Sequence, residues 1–328
     1  MALNILITGG FGFIGGRLSI YLKGLGQNII VGSRKTNTKP LSQKKINEKK
    51  VIWNDLSSLK KLCKGIDVII HTAGMNSQDC ANDPVAALEF NGVATTRLVS
   101  AALSSGVKKF IYLSTAHVYS SPLVGIISEK SYLQNFHPYA TSHLAGEMAV
   151  IKAYKEKKIE GIVLRISNAF GVPSDHKINC WNLLVNDLCK QAVVNKELCL
   201  HSDGSQLRDF IPLNELCEII RTFITDKSIN NELGVFNIGT GKTKSVIKMA
   251  KVIQNRCEKI LEFRPKLNFK KNLSKDKHPI FKYKTYKLNK MGYHHNSENS
   301  IKEIDQLLHF CNHAYGIHKE KSDIRLQV

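Results

Sequence analysis

Apolar residues in the first half of the chain form short runs, and the stretches between them have the three-to-four-residue spacing of helices. The runs predict strands at residues 3–8, 28–31, 51–53, 68–71, 109–113 and 162–166. The intervening stretches predict helices at residues 13–25, 56–63, 84–105 and 139–155. Strands that alternate with helices are typical of βαβ units. The pattern therefore predicts an α/β fold with a doubly wound parallel sheet that is covered by helices on both faces.

The pattern becomes less regular after about residue 172, where lysines are more frequent. It predicts one strand at residues 235–238 and helices at residues 181–194, 214–225, 245–257 and 300–313. We therefore expect a first domain over residues 1–172 and a smaller, partly discontinuous C-terminal domain over residues 173–328. A segment near residues 205–240 is expected to return to the first domain.

Composition excludes several classes of protein. The 328 residues are 43% hydrophobic and 23% charged, which predicts a folded core rather than a disordered chain. No apolar run approaches the roughly 18 residues of a membrane span, and the N-terminus lacks a signal-peptide pattern. The eight cysteines contain no C-x-x-C pair, which indicates reduced thiols and a cytoplasmic protein. No spacing of histidine with cysteine or aspartate indicates a metal site.

The net charge of +20 is the unusual feature of the composition. Residues 251–290 contain thirteen Lys and Arg against three Asp and Glu, and residues 34–50 contain seven against one. Such a field favours anionic partners, namely phosphorylated small molecules, nucleic acid or a membrane surface. Lysines that only decorate a solvated surface are the alternative explanation.

A glycine-rich turn connects the first predicted strand to the first predicted helix. Its sequence is TGGFGFIG over residues 8–15, and Gly9, Gly12 and Gly15 have a G-x-x-G-x-x-G spacing. A backbone that turns tightly and approaches a pyrophosphate leaves no room for side chains at such positions. The start of the helix then directs its free N–H groups towards the phosphates. The turn therefore predicts dinucleotide binding.

The end of the second predicted strand indicates which dinucleotide is bound. An acidic residue there would hydrogen-bond the adenosine ribose and indicate NAD. The chain instead has Gly32-Ser33-Arg34-Lys35, whose two cations can pair with a 2′-phosphate. We therefore expect NAD(P), with NADP favoured, and solvated cations are the alternative interpretation. Asp55 follows the third predicted strand and is expected to reach the adenine amino group.

The order of motifs resembles that of the extended short-chain dehydrogenase/reductases, specifically the NAD-dependent epimerase/dehydratase family of nucleotide-sugar enzymes. The resemblance extends from Ile5 to about residue 250. It rests on TGGFGFIG (8–15), NDL (54–56), VIIHTAG (68–74), Asn91, LSTAHVY (113–119), PY (138–139), LRISN (164–168), Gly204, RDFI (208–211) and FNIGTG (236–241). The resemblance implies a Rossmann-like fold, a nicotinamide cofactor and a nucleotide-diphosphate sugar as substrate.

The resemblance also implies roles for the matching residues. Tyr139 matches the general acid/base that acts on the sugar hydroxyl or carbonyl, and Thr115 matches the residue that hydrogen-bonds the same oxygen. Asn168 and Arg208 match residues that hold the diphosphate. The residues expected to bind the cofactor are Gly9, Gly12, Phe13, Ile14, Gly15, Ser33, Arg34, Lys35, Asp55, Leu56, Ala73, Tyr139 and His143. The residues expected to bind the substrate are Thr115, His117, Asn168 and Arg208.

One position departs from the Tyr-x-x-x-Lys pattern of this family. The chain has His143 four residues after Tyr139, a spacing that keeps both side chains on one helical face. The resemblance implies that the lysine hydrogen-bonds the nicotinamide ribose and that its charge lowers the tyrosine pKa. A histidine has an ordinary pKa of about 6.5 and carries only part of that charge at pH 7. Either the site protonates His143, so that activity depends on its ionisation, or the protein is slow or repurposed; we favour the first interpretation.

The identity of the two residues after Thr115 indicates which reaction of the family is expected. The resemblance implies an Asp-Glu pair there in 4,6-dehydratases and a cysteine at the second position in enzymes that epimerise C3 or C5. The chain has Ala116-His117, which argues against dehydration. His117 either moves a proton near the sugar or is only hydrogen-bonded at the strand end. We therefore expect hydride transfer at sugar C4, by a 4-epimerase or a 4-keto reductase.

Two other functions stay open at this point. The basic segment 251–290 fits an RNA backbone, and Tyr283 and Tyr286 could stack on bases. A non-catalytic, NAD(P)-sensing module would bind the dinucleotide without transferring a hydride. The resemblance further implies a homodimer through the helices at 84–105 and 139–155, which contain small residues suited to close packing.

Overall fold

The computed structural model describes residues 2–34, 43, 46–226, 234–269 and 279–316. The strands are β1 (Asn4–Thr8), β2 (Asn28–Ser33), β3 (Asn47–Lys50), β4 (Val68–His71), β5 (Lys109–Thr115), β6 (Gly125–Ile127), β7 (Glu160–Ile166), β8 (Asn168–Phe170), β9 (Glu197–Leu200), β10 (Leu207–Pro212), β11 (Gly234–Ile238), β12 (Thr243–Ser245), β13 (Lys266–Phe269) and β14 (Phe281–Tyr283). The helices are α1 (Phe13–Gly24), α2 (Leu56–Cys63), α3 (Ser77–Asn82), α4 (Pro84–Ala87), α5 (Thr95–Ser104), α6 (Pro138–Lys155), α7 (Leu184–Asn195), α8 (Leu213–Thr225), α9 (Val246–Leu261), α10 (Tyr286–Lys290) and α11 (Ser297–Tyr315).

A parallel sheet in the order β11-β7-β5-β4-β1-β2-β3 forms the centre of the described structure. Consecutive side chains of a strand point to opposite faces. Ile5 and Ile7 of β1 therefore pack on one face with α1 and α8, whereas Leu6 packs on the other face with α2 and α5. The predicted α/β fold, a Rossmann-like doubly wound parallel sheet, is confirmed.

The chain beyond β7 adds smaller sheets and a separate apolar core. The sheets have the orders β12-β10-β8, β13-β9 and β14-β6. Helices α7, α9 and α11 bury Leu188, Met249 and Leu307 in this core. Strand β11 joins the central sheet instead and pairs with β7. The division of the chain at residue 172 stays a prediction.

Glu303 of α11 connects this second core to the first helix of the sheet. Its fully buried carboxylate accepts hydrogen bonds from the backbone N–H of Val172 at 2.9 Å and of Asn214 at 3.1 Å. Arg17 of α1 donates to the same carboxylate at 3.2 Å. The glycine turn that precedes α1 is thereby fixed relative to the C-terminal helices.

Two elements differ from the sequence prediction. The third strand is Asn47–Lys50 rather than residues 51–53, because this edge strand is largely exposed and has no apolar pattern to mark it. The helix expected at residues 84–105 is divided by a π-helical segment, Leu88–Ala94, between α4 and α5. The basic segment 34–50 ends in β3, and most of its other residues lie outside the described residues, although Gln43 is described and is buried.

Three further expectations from the sequence concern Tyr283, the cysteines and membrane-spanning helices. Tyr283 is fully buried, and its hydroxyl donates to the carbonyl of Arg165 at 2.7 Å, so the expectation that it stacks on bases is wrong. All eight cysteines are free thiols, and Cys199 is the one that is not fully buried. Across the described helices, none combines the length and the apolar character that crossing a membrane requires.

A buried ion pair fixes α6 to the sheet. The carboxylate of Glu147, fully buried on α6, accepts hydrogen bonds from Arg165 of β7, with Nε at 3.0 Å and Nη2 at 2.6 Å. The Ser114 hydroxyl of β5 donates to the same carboxylate at 2.5 Å. Arg165 Nη1 also donates to the Tyr119 hydroxyl at 3.0 Å. Both charges are therefore compensated without water.

We expect Glu147→Gln to lower the free energy of unfolding by about 3–5 kcal/mol, because the variant leaves Arg165 buried without its counter-charge. Glu156→Gln at the end of the same helix is the matched control. Glu156 pairs with Lys152 and Lys158 at the surface, so its loss should change the free energy of unfolding much less than the loss of Glu147 does. Urea titrations of both variants measure the difference, and equal midpoints would contradict the assignment.

Candidate active site

Two adjoining cavities open at the carboxyl ends of β1, β4 and β5, where open α/β sheets bind their ligands. The first cavity has a volume of about 420 Å³, and the second, more open one has about 1540 Å³. Residues of the glycine turn and of the loop after β4 line both cavities, namely Gly9, Gly12, Phe13, Thr72 and Gly74. The two cavities therefore form one cleft over the turn.

Gly9 and Gly15 of the turn leave no room for a side chain. Gly9 has a φ of +73°, and a Cβ there would lie 2.7 Å from the backbone nitrogen of Ala73. A Cβ on Gly15 would overlap the carbonyl oxygen of Gly9. Gly12 begins α1 without a side-chain cap, so the first N–H groups of the helix stay available at the cavity. Together with Ile14 in the wall, this geometry fits the pyrophosphate of a dinucleotide.

The second cavity contains the predicted cofactor residues Ser33, Arg34 and Ala73. The Arg34 guanidinium lies 5.2 Å from the ring centre of Phe90, a residue of the π-helical segment. The ring of Trp53 contacts Phe90 edge-on at 5.3 Å. This cationic and aromatic wall suits an adenosine moiety, and sequence reasoning missed both aromatic residues.

Asp55, the acidic residue expected at the adenine, also caps a helix. The Asp55 carboxylate caps α2 and accepts from the backbone N–H of Ser57 at 2.9 Å and of Ser58 at 3.1 Å. Neither Asp55 nor Leu56 is among the described residues that line the two cavities. The expectation that they contact the adenine stays a prediction. Lys35 lies outside the described residues.

Thr115, Tyr139 and His143 meet in the wall of the first cavity. Thr115 ends β5, and Tyr139 stands in the first turn of α6 directly after Pro138. The His143 ring lies 4.6 Å from the Tyr139 ring, centre to centre, as the i, i+4 spacing requires. Burial raises the pKa of Tyr139, while a hydrogen bond with the Thr115 hydroxyl acts in the opposite direction.

The environment of His143 bears on its expected protonation. The side chain is 6% exposed, and burial lowers its pKa to about 4. In the protein without ligand this low pKa argues against a protonated His143 at neutral pH, because no carboxylate lies among its described hydrogen-bond partners. The dependence of activity on its ionisation stays a prediction. His143 is a neutral hydrogen-bonding group beside Tyr139.

The π-helical segment holds the loop between the cofactor wall and α6. Asn91 within it is buried, and its Oδ1 accepts from the backbone N–H of Met75 at 2.9 Å. Its Nδ2 donates to the Ser142 hydroxyl of α6 at 3.0 Å. The Asn91 side chain thus connects α6 with the loop after β4. The π-helical turn that contains Asn91 has no recognisable pattern in the sequence.

His117, Asn168 and Arg208 line the opposite part of the first cavity and extend into a third cavity of about 320 Å³. Asn168 is anchored by its Nδ2, which donates to the carbonyl of Asp209 at 2.9 Å. Burial, followed by the charges of Arg208 and His137, lowers the pKa of His117. The structure therefore places these three expected substrate residues together, with one cation, one amide and one neutral imidazole.

The first cavity differs from an acid–base site built on carboxylates. Its lining, as far as the chain is described, contains no Asp or Glu. Within the described residues no group of three or more His, Cys, Asp and Glu side chains could hold a metal ion. The titratable groups of the wall are Tyr139, His143, His117 and Arg208. Chemistry at this site therefore depends on a phenol, imidazoles and a guanidinium.

The fold and the cleft define a nucleotide-binding α/β protein of the Rossmann type. The chain belongs to the NAD dependent epimerase/dehydratase family, whose family model matches residues 5–239. The protein named dTDP-D-glucose 4,6-dehydratase in Mus musculus is 32% identical over 267 residues, which cover 76% of this chain and 72% of that protein.

Solved structures share the fold at lower identity. The structure of UDP-glucose 4-epimerase from Thermotoga maritima with UDP-glucose has a TM-score of 0.76 and 20% identity, covering 94% of this chain and 98% of that chain. UDP-glucose 4-epimerase from Thermus thermophilus in complex with NAD has a TM-score of 0.74 and 19% identity, covering 93% and 99%. Both likenesses extend through the C-terminal part of the chain.

We expect the stability of the protein to fall as the pH is lowered from 7 to 5. His143 and His71 are buried, and burial lowers their pKa values to about 4 and about 3. The unfolded chain binds these protons near pH 6.5, so the contribution is fully present above that pH and is lost as the pH falls. Each histidine should remove roughly 2 kcal/mol by pH 5.

Thermal and urea unfolding between pH 7 and 5 measure this loss. The variant His143→Gln lacks one of the two titrating groups and should lose less stability over the same interval. The control His309→Gln changes an exposed histidine of α11 and should behave as the native protein does. An unchanged slope in His143→Gln would contradict the prediction.

Proposed function

We propose that the protein transfers a hydride at C4 of a nucleotide-diphosphate sugar with NAD(P), as a 4-epimerase or a 4-keto reductase. One observation carries the proposal. Thr115, Tyr139 and His143 lie where the cleft over the glycine turn meets the part of the first cavity lined by Asn168 and Arg208. A sugar whose diphosphate is held by the latter pair would bring its ring to Tyr139. The nucleotide sugar and the NAD named with the two solved structures support the same ligands.

Each residue of the site has its own role in the proposed reaction. When bound, the nicotinamide supplies the hydride acceptor and donor for sugar C4. Tyr139 takes the proton of the C4 hydroxyl as the carbonyl forms and returns it when the carbonyl is reduced. Thr115 hydrogen-bonds the same sugar oxygen, and His143 orients the ribose beside it. Arg208 grips phosphate oxygens with its planar guanidinium.

Elimination of water is the reaction named for the mouse relative, and the residues of this cavity do not support it here. Elimination needs an acid for the departing hydroxyl and a base for the carbon-bound proton. Ala116 and His117 follow Thr115, and the described lining of the first cavity holds no carboxylate. We therefore propose hydride transfer without elimination.

The choice of dinucleotide depends on the wall of the second cavity. Arg34 stands at the end of β2 over Phe90, and the strand end has no carboxylate to hydrogen-bond a ribose diol. A guanidinium in this place can pair with a 2′-phosphate. We propose that NADP is preferred to NAD.

We also propose a homodimer through the helical region 84–104 and α6. Val85, Leu88 and Val93 of the first region are 69%, 51% and 40% exposed, and Met148 of α6 is 47% exposed. Exposed apolar side chains on two adjacent helices favour contact with another protein surface. We further propose that this dimer is a cytoplasmic enzyme.

We expect the protein to convert UDP-glucose, UDP-N-acetylglucosamine or dTDP-glucose in the presence of NAD or NADP, as followed by chromatography and NMR. A 4-epimerase forms the C4 epimer without net reduction of the dinucleotide, whereas a 4-keto reductase running in reverse accumulates the reduced dinucleotide. Tyr139→Phe should lower the rate at least about a hundredfold, because the proton of the C4 oxygen loses its acceptor.

Tyr132→Phe is the matched control, since Tyr132 is 85% exposed and outside both cavities. Its rate should equal that of the native protein. A product that has lost one water would identify a dehydratase and contradict the proposal. Dinucleotide binding with no product from any sugar would favour the non-catalytic sensing module.

We expect fluorescence titrations to show tighter binding of NADPH than of NADH. Arg34→Ala should weaken NADPH binding about tenfold, since a charge-assisted contact of this size is worth about 1.4 kcal/mol. The same variant should change NADH binding much less. Arg97→Ala, at an exposed arginine of α5, is the control and should change neither. Equal or tighter binding of NADH by the native protein would refute the preference.

A further inference from the structure

A row of hydrogen-bonded side chains lies behind His143, on the side away from the cavity. The Tyr112 hydroxyl of β5 is 3.0 Å from His143 Nδ1. The same hydroxyl also makes a hydrogen bond with the side chain of Thr95 in α5. Tyr112 and Thr95 are 1% and 0% exposed, so water does not compete for these bonds.

The row continues to the first strand of the sheet. Thr95 Oγ1 is 2.8 Å from Nε2 of His71, and Nδ1 of His71 is 2.6 Å from the hydroxyl of Thr8. His71 and Thr8 are also buried. The His71 ring stacks on the ring of Tyr112 at 5.5 Å, which fixes the orientation of both. Every polar atom along the row is therefore committed to a neighbour.

The direction of the bond between Tyr112 and His143 follows from the acidity of the two groups. Burial raises the pKa of Tyr112, but a phenol is still a stronger donor than the N–H of a neutral imidazole, and an imidazole nitrogen is a stronger base than a phenolic oxygen. The carbonyl oxygen of His143 is a second acceptor for this hydroxyl, but at 3.5 Å it is farther than Nδ1 at 3.0 Å, so we infer that Tyr112 donates to Nδ1. Thr95 can then donate to Tyr112, His71 Nε2–H to Thr95, and Thr8 to His71 Nδ1, so that each group has a consistent role.

A neutral imidazole has a single N–H, and an occupied Nδ1 leaves that hydrogen on Nε2. The Nε2 edge of His143 faces the cavity, because a Cβ on Gly74 would lie 3.7 Å from Nε2 and both residues line the first cavity. Among the described residues, the hydrogen bonds of His143 involve Nδ1 and the backbone oxygen and leave Nε2 available. It is thus a neutral donor directed at the space beside Tyr139.

We propose that Tyr112 is a positioning residue, which holds His143 in the tautomer that carries its hydrogen on Nε2 and so presents a neutral donor to the cofactor ribose. The donor replaces the hydrogen bond of a lysine without its charge. The ribose part of this inference rests on the proposed function. The tautomer depends only on the contacts between Tyr112 and His143.

The tautomer can be observed directly in the protein without ligand. Two-bond ¹H–¹⁵N correlation spectra of ¹⁵N-histidine protein distinguish a protonated ring nitrogen from a bare one, and His143→Gln identifies the signal among the twelve histidines. We expect His143 with hydrogen on Nε2 at pH 7. A hydrogen on Nδ1, or a mixture of both forms in the native protein, would overturn the proposal.

The variant Tyr112→Phe tests the cause. It should give a mixture of tautomers at His143 and weaken NADPH and NADH binding alike, roughly fivefold to tenfold, which is the loss of one oriented hydrogen bond. Tyr283→Phe is the matched control, because it removes another buried hydroxyl that does not contact His143. The control should leave both the tautomer and the binding unchanged.

The outcomes separate this inference from the proposed function. If neither dinucleotide binds the native protein, the proposed function fails, while the spectra of native protein and Tyr112→Phe still decide the tautomer. If the tautomer is as expected but Tyr112→Phe and Tyr283→Phe weaken binding equally, Tyr112 is only a packing residue and the positioning role is refuted. If Tyr112→Phe does not fold, the tautomer of the native protein decides alone.

Discussion

The buried pair of Glu147 and Arg165 is the interaction on which the geometry of the site depends. Glu147 lies on the same face of α6 as Tyr139 and His143, eight and four residues after them. The pair joins α6 to β7, and Ser114 adds β5 through its bond to Glu147. Hydrogen bonds between charged groups have direction, whereas apolar packing tolerates sliding. Since Thr115 directly follows Ser114, the contact that fixes the helix also fixes the distance between Thr115 and Tyr139.

The burial of one face of α6 also determines which side chains of the site carry a charge. It keeps His143 neutral and raises the pKa of Tyr139, so the face of α6 that enters the cavity brings no positive charge. A lysine in place of His143 would favour the phenolate, because an opposite charge within a few ångström stabilises an anion. Here the hydroxyl of Thr115 provides the stabilisation of the Tyr139 oxygen that the structure shows. The described groups that contact Tyr139 are therefore neutral, and the fixed charge of the cavity is that of Arg208.

The sequence predicts most of the scaffold and part of the site, and the difference has physical causes. The glycine turn and the Pro-Tyr helix start are local signals, since steric limits and helix geometry act over a few residues. Tyr112 and Phe90 became visible only in the structure, because the register of β5 and a π-helical turn decide what they contact. The sequence did not show that Asp55 caps α2, because an acidic residue before a helix fits a cap and a ligand contact equally well, and its expected contact with adenine stays a prediction.

Two proteins can share this fold and still catalyse different reactions. The mouse dehydratase shares 32% of the matched residues, and folds of this kind support different reactions through a few side chains. The decisive positions here are Ala116 and His117, which directly follow the strand that carries Thr115. Elimination of water needs an acid and a base at the same time. His117, a neutral imidazole, supplies one of these two groups, and the methyl group of Ala116 supplies neither. We therefore propose hydride transfer at C4 rather than elimination.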